Sequence, residues 1–213
     1  MDQTGEVLCV LASAYGDMGR FSLCGNDFSK AGPWYRKALA LLQDTACVGQ
    51  VWLLVHYGRT VFAVDDYPRA KSLFQEAYAL AEKTGEHPGR AAAGAYCAYF
   101  AMADGDEETA ARLLREAMEE EQVLHSPMEG AIVNFISMKI RRRLDLDQQD
   151  SGLCVLLPDR ADDYARRGVR LGNSIPDVFE VQILTKDLRD GISSQLRYRS
   201  WELYSKNKRF MSE

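Results

Sequence analysis

Apolar residues along this chain recur every three to four positions, and short acidic or glycine-bearing turns interrupt them at regular intervals. In the stretch VWLLVHYGRTVFAV, Leu54, Tyr57, Gly58 and Val61 fall on one helical face. RAAAGAYCAYFAMA repeats those offsets with Gly94, Cys97, Ala98 and Ala101. Each of these helices is followed by a turn and then by a second amphipathic helix, so the pattern predicts helix pairs.

The second helices align on a small residue followed at +4 by an aromatic or Leu and at +7 by Ala. The three sets are Ala31, Tyr35, Ala38; Ala70, Phe74, Ala77; and Ala110, Leu114, Ala117. The anchors Ala31, Ala70 and Ala110 give a period of about 40 residues, within the range of stacked repeats. The turns before them, Gly25-Asn26-Asp27-Phe28, Asp65-Asp66-Tyr67-Pro68 and Asp104-Gly105-Asp106-Glu107, carry the residues that cap helix starts by accepting unpaired backbone N–H groups.

Residues 51 to 82, through Leu54, Tyr57, Gly58, Val61, Tyr67, Ala70, Phe74 and Ala77, resemble the tetratricopeptide repeat family. In such a pattern Gly58 and Ala70 let paired helices touch, while Tyr57 and Phe74 fill the space between neighbouring pairs. The period here is longer than the usual 34 or so, which predicts helices extended by about a turn. The first repeat departs from the pattern: its front helix, with Leu8, Leu11, Ala12 and Tyr15, is followed by GDMGRFSLCG, read as a long turn. The resemblance implies an all-α, right-handed superhelical solenoid of antiparallel helix pairs, with repeats near 5–44, 46–84, 87–124 and 127–173. A helix over 177–206 would cap the open end.

Beyond residue 124 the motif weakens while the helical period continues. SPMEGAIVNFISMKIRRRL carries Ile132, Phe135, Met138 and Ile140 on a helical repeat. Residues 145–157 read as an irregular connector, and PDRADDYARRGVRL as a helix that opens after Pro158 and closes at Gly172-Asn173. In the last segment Val181, Leu184, Leu188 and Ile192 make one stripe.

Composition narrows the function. Hydrophobic residues at 46% and charged residues at 27% describe a globular chain. A net charge of -5 argues against nucleic acid as the main partner. The five basic residues between Arg197 and Arg209, interleaved with Tyr198, Trp201 and Tyr204, are more simply the wet face of a cap than a base-stacking surface. The runs EAMEEE and Arg141-Arg142-Arg143 read as a solvated helix face and a helix C-terminus. An acidic N-terminus and no long apolar run point away from secretion or a membrane span and towards the cytoplasm. Five cysteines, Cys9, Cys24, Cys47, Cys97 and Cys154, are dispersed without metal or C-x-x-C spacing, as expected of reduced, packed thiols. His56, His87 and His125 lie in separate segments. No nucleophile elbow, phosphate loop or zinc motif appears, so neither catalysis nor a cofactor is expected.

The family resemblance implies that front helices line a groove for a peptide or helical segment of a partner protein. Carried onto this sequence, its positions are Trp52, Val55, Arg59 and Phe62, then Ala92, Ala95, Tyr99 and Met102, with Phe135 and Lys139 from the fourth unit. Such a Trp, Tyr, Phe, Met and Arg set suits a binding surface. Packing between pairs is the competing use for Trp52, Phe62 and Tyr99. Val55, Ala92 and Ala95 stand where a carboxylate clamp would need polar residues, which argues against recognition of an acidic C-terminal tail. The expected role is an adaptor or scaffold. The alternatives are a ligand- or peptide-sensing domain of a bacterial regulator, and self-association as a homodimer through Trp201 and Tyr204.

Overall fold

The computed structural model describes residues 3–24, 28–43, 47, 49–147 and 152–174. All regular structure among them is α-helix: α1 (Gln3–Cys24), α2 (Phe28–Leu41), α3 (Gln50–Ala63), α4 (Tyr67–Thr84), α5 (His87–Asp104), α6 (Glu107–Leu124), α7 (Pro127–Asp147), α8 (Gly152–Leu156) and α9 (Ala161–Asn173). The expected cap over 177–206, the residues proposed for self-association and the 25–27 turn lie outside the described residues. The chain forms two compact units, Met1–Ala93 and Gly94–Glu213, and the division falls inside α5.

In the first unit consecutive helices pack, α1 on α2, α2 on α3 and α3 on α4. The small–aromatic–small pattern explains how. Ala31, Tyr35 and Ala38 of α2 and Ala70, Phe74 and Ala77 of α4 have no solvent exposure at all. Opposite each aromatic ring stands a glycine of the partner helix. A Cβ on Gly58 would lie 2.8 Å from the Phe74 ring, and one on Gly19 would lie 2.8 Å from the Tyr35 ring. Glycine is weak in helix interiors, but here its bare Cα is the seat that lets a ring come down onto the backbone.

The Gly19–Tyr35 contact corrects the expectation for the first repeat. Residues 16–24 are not a long turn, because α1 continues through Gly16 and Gly19 to Cys24. The counterpart of Gly58 is therefore Gly19 rather than Ala12. The step along the chain from Gly19 to Gly58 equals the step from Tyr35 to Phe74, so glycine and ring recur together.

The turns behave as their chemistry implies. Asp66 caps α4 by accepting from the Arg69 N–H at 3.3 Å, and Asp106 caps α6 by accepting from the Thr109 N–H at 3.0 Å. At the other end of α4, Gly85 takes the left-handed conformation, with φ 71°, that lets its N–H close on the Ala81 carbonyl.

The second unit is organised around α7, which packs along α9 and against α6, with α8 laid on α6 and α7. Ile132, Phe135, Ile136, Met138, Ile140 and Leu144 of α7 are all buried. On α9, Ala161, Ala165 and Gly168 are buried at the same +4 and +7 offsets as the earlier anchors. The step from Ala110 to Ala161 is longer than the two before it, and the surplus holds α8. The 145–157 stretch is accordingly less irregular than expected: α7 extends to Asp147 and Gly152–Leu156 is helical. Arg141 ties this segment down, donating to the Leu157 carbonyl at 2.9 Å and pairing with Asp145 at 2.9 Å.

The fold also joins two cysteines that the sequence keeps apart. Burial, and then a hydrogen-bonded contact with Cys9, push the Cys47 thiol up to about 12, so it stays protonated at neutral pH.

Two outcomes follow from this packing. Gly58→Ala should lose roughly 1–3 kcal/mol in urea denaturation, since the buried Phe74 ring has nowhere to retreat. In the native protein, iodoacetamide should leave Cys47 almost unlabelled at pH 8, with peptide mass spectrometry showing its modification rising only towards strongly alkaline pH.

Candidate functional site

Of the groove positions in the first unit, Val55 and Ala92 are wholly enclosed, and Arg59 and Phe62 are buried at 5% and 9% exposure. Phe62 meets Tyr67 of α4 edge-on, with ring centroids 5.3 Å apart, so it takes part in the packing of its own helix pair. Trp52 is half-buried, and its ring lies 5.5 Å from that of His56. His56 in turn stacks with Tyr35 at 6.5 Å. This row of rings packs the buried His56 between Tyr35 and Trp52.

In the second unit Ala95, Met102 and Phe135 are buried, while Tyr99 and Lys139 are half-buried. Three of the expected residues come together here from two helices. The Lys139 ammonium of α7 lies 4.9 Å from the centre of the Phe135 ring and 5.8 Å from that of Tyr99 on α5. A cation at these distances is attracted to the ring faces by roughly 0.5–1 kcal/mol at a partly exposed site. Tyr99 is held from behind by an edge-on contact with Phe100 at 5.7 Å. The result is a partly exposed Tyr99 and Lys139 side by side over the buried Phe135 ring.

A second feature of this unit was not anticipated from the sequence. A cavity of about 480 Å³ opens among α6, α7, α8 and α9. Arg167 on α9 is one of its lining residues and is held by several partners. The Arg167 Nε donates to Asn134 Oδ1 at 3.2 Å, Nη1 donates to Asp159 Oδ2 at 2.7 Å, and the guanidinium lies 4.4 Å from the centre of the Tyr164 ring. Asn134 is itself oriented by donating to the Gly130 carbonyl at 2.8 Å. Burial raises the Tyr164 phenol above its ordinary value, so it presents a neutral hydroxyl at physiological pH. Nothing in the sequence signalled this arrangement, because its residues are dispersed from Met118 to Leu171 and appear there only as the polar faces of separate helices.

No family model matches this chain, and no curated protein matches it. Its reading therefore rests on geometry and chemistry. Among the described residues no three His, Cys, Asp or Glu side chains stand close enough to hold a metal ion, and no helix is long and apolar enough to cross a membrane.

One carboxyl stands apart from both surfaces. Glu129, in the first turn of α7, is 3% exposed, and its Oε2 has no hydrogen-bond partner. Desolvation raises its pKa, opposed by a hydrogen bond from its own backbone N–H. A raised folded-state pKa means that the folded chain holds the proton more tightly than the unfolded chain. Stability then falls as pH rises from the unfolded-state value, near 4.3, through the higher folded-state value. Glu129→Gln should therefore raise stability at pH 7 by about 1 kcal/mol, the scale of an unpartnered buried polar atom. Thermal unfolding followed by circular dichroism should show the advantage shrinking as pH is lowered towards 4.

Proposed function

We propose that this chain is a protein-interaction module of the tetratricopeptide kind. Its helix pairs continue as a right-handed superhelical solenoid, and its front helices hold a peptide or helical segment of a partner protein. The observation that supports this reading is the meeting of Tyr99, Phe135 and Lys139 on α5 and α7. Aromatic side chains lose little conformational entropy when a ligand covers them, and one cation among them selects for acidic or carbonyl-rich segments. Trp52, half-exposed on α3, is the corresponding contact residue in the first unit. Val55, Ala95 and Phe135 would serve as the floor beneath these contacts, because their side chains are enclosed.

A second reading is a sensing domain of a larger regulator, and the polar cavity of the second unit favours it. The two differ in the size of what is bound and in where it binds.

Affinity capture from a lysate of the source organism, followed by mass spectrometry, tests the first reading. Wild type should retain a defined set of partners. Tyr99→Ala combined with Lys139→Glu should weaken capture at least tenfold, while circular dichroism stays unchanged. If the same partners survive both substitutions, this surface is not the contact.

A further inference from the structure

The cavity of the second unit has a charge pattern that narrows what it can hold. Four ionisable side chains of fixed sign line it, Glu121, Asp159, Arg167 and Arg170, and their formal charges cancel. A simple anion would gain from the arginines and lose to the carboxylates, and a simple cation the reverse. The four are also not equivalent. Arg167 and Asp159 satisfy each other at 2.7 Å. That leaves Arg170 on α9 and Glu121 on α6, and among the described residues neither side chain has an ion-pair or hydrogen-bond partner. One uncommitted cation and one uncommitted anion thus line the same cavity.

Two further details suggest a ligand rather than an idle surface. Ser137 of α7 is 1% exposed and lines the cavity, which places a hydroxyl-bearing side chain in its wall. The Glu121 carboxylate is also held close to backbone: Gly130 stands beside it, and a Cβ there would lie 2.8 Å from Glu121 Oε1. A glycine at that point keeps the carboxylate clear of a side chain.

We infer that this cavity binds a zwitterion of the amino-acid class, a free amino acid or a short peptide. Arg170 would take the carboxylate, Glu121 the ammonium, and the Ser137 hydroxyl a polar group between them. A volume of about 480 Å³ lies within the range of small-ligand sites, and it exceeds the needs of one small amino acid, so larger amino acids or dipeptides fill it better. The inference rests on the sensing reading above and names the ligand class for it. It is independent of the Tyr99–Lys139 surface.

Isothermal titration calorimetry on the full chain tests it, with three sets of probes: the L-amino acids and alanine dipeptide; singly charged analogues (the corresponding carboxylic acids and primary amines); and neutral sugars and nucleosides. At least one zwitterion should bind, and its singly charged analogues should bind at least tenfold more weakly. Arg170→Gln and Glu121→Gln should each weaken the zwitterion at least tenfold with unchanged circular dichroism. Arg170 is exposed, so its substitution keeps the test valid even if Glu121→Gln perturbs folding. Binding of only neutral or singly charged probes overturns the zwitterion assignment and leaves the sensing reading standing. If no probe binds at millimolar concentration, both fall. Zwitterion binding that survives Arg170→Gln places the ligand elsewhere and also overturns the assignment.

Discussion

The contact on which the rest of the first unit depends is an aromatic ring seated on a bare helix backbone. Tyr35 lies over Gly19 and Phe74 over Gly58, in each case too close to admit a Cβ. A helix-interior glycine costs about 1 kcal/mol relative to alanine. Full burial of a Phe-sized side chain returns roughly 1.5–3 kcal/mol, so the exchange favours the contact. The flanking alanines at −4 and +3 matter for the same reason, since larger side chains there would lift the ring away from its seat. Because the ring fixes both the spacing and the rotation of the paired helices, it decides which residues remain on the outer faces.

In the second unit the same logic is carried with smaller residues. Leu114 stands where the rings stood, and Ala161, Ala165 and Gly168 line α9. An α9 this smooth lies close along α7, whose apolar residues are buried along most of its length. The inserted α8 then changes the edge of the unit. It delivers Leu156, Pro158 and Asp159 to the margin of a cavity that α6, α7 and α9 also line. Arg167 shows how polar groups are accommodated there: the amide of Asn134, the carboxylate of Asp159 and the Tyr164 ring face satisfy it together. Each of these contacts limits the conformations of the guanidinium, and a lining residue with fewer conformations loses less entropy when a ligand arrives.

The two candidate surfaces arise from different physical sources. The Tyr99–Phe135–Lys139 cluster is carried by faces of α5 and α7, and its three residues are among the positions that the family resemblance singles out. The cavity arises where the period is broken, and a periodic pattern has no means of announcing it. Cys9 and Cys47 make the same point on a smaller scale. They are well separated in the chain, and only the folding of α1 against its neighbours makes one thiol shift the other.

The sequence by itself determined the helical class, the near-constant spacing of the anchors Ala31, Ala70 and Ala110, and the caps at Asp66 and Asp106. Each of these is encoded locally, in side-chain period and in hydrogen bonding within one turn of the backbone. It was ambiguous at Gly19, because glycine serves equally as a helix breaker and as the floor for a ring, and only the presence of Tyr35 above it chooses between them. The helix that closes at Gly172-Asn173 was legible, but the offsets of Ala161, Ala165 and Gly168 along it were not, since the longer interval before Ala161 hid the match. The enclosure of Val55, Ala95 and Phe135, and the meeting of Glu121, Ser137 and Arg170 around one cavity, were decided by tertiary structure alone. Burial and convergence depend on residues far away in the chain, and local pattern carries no information about those distances.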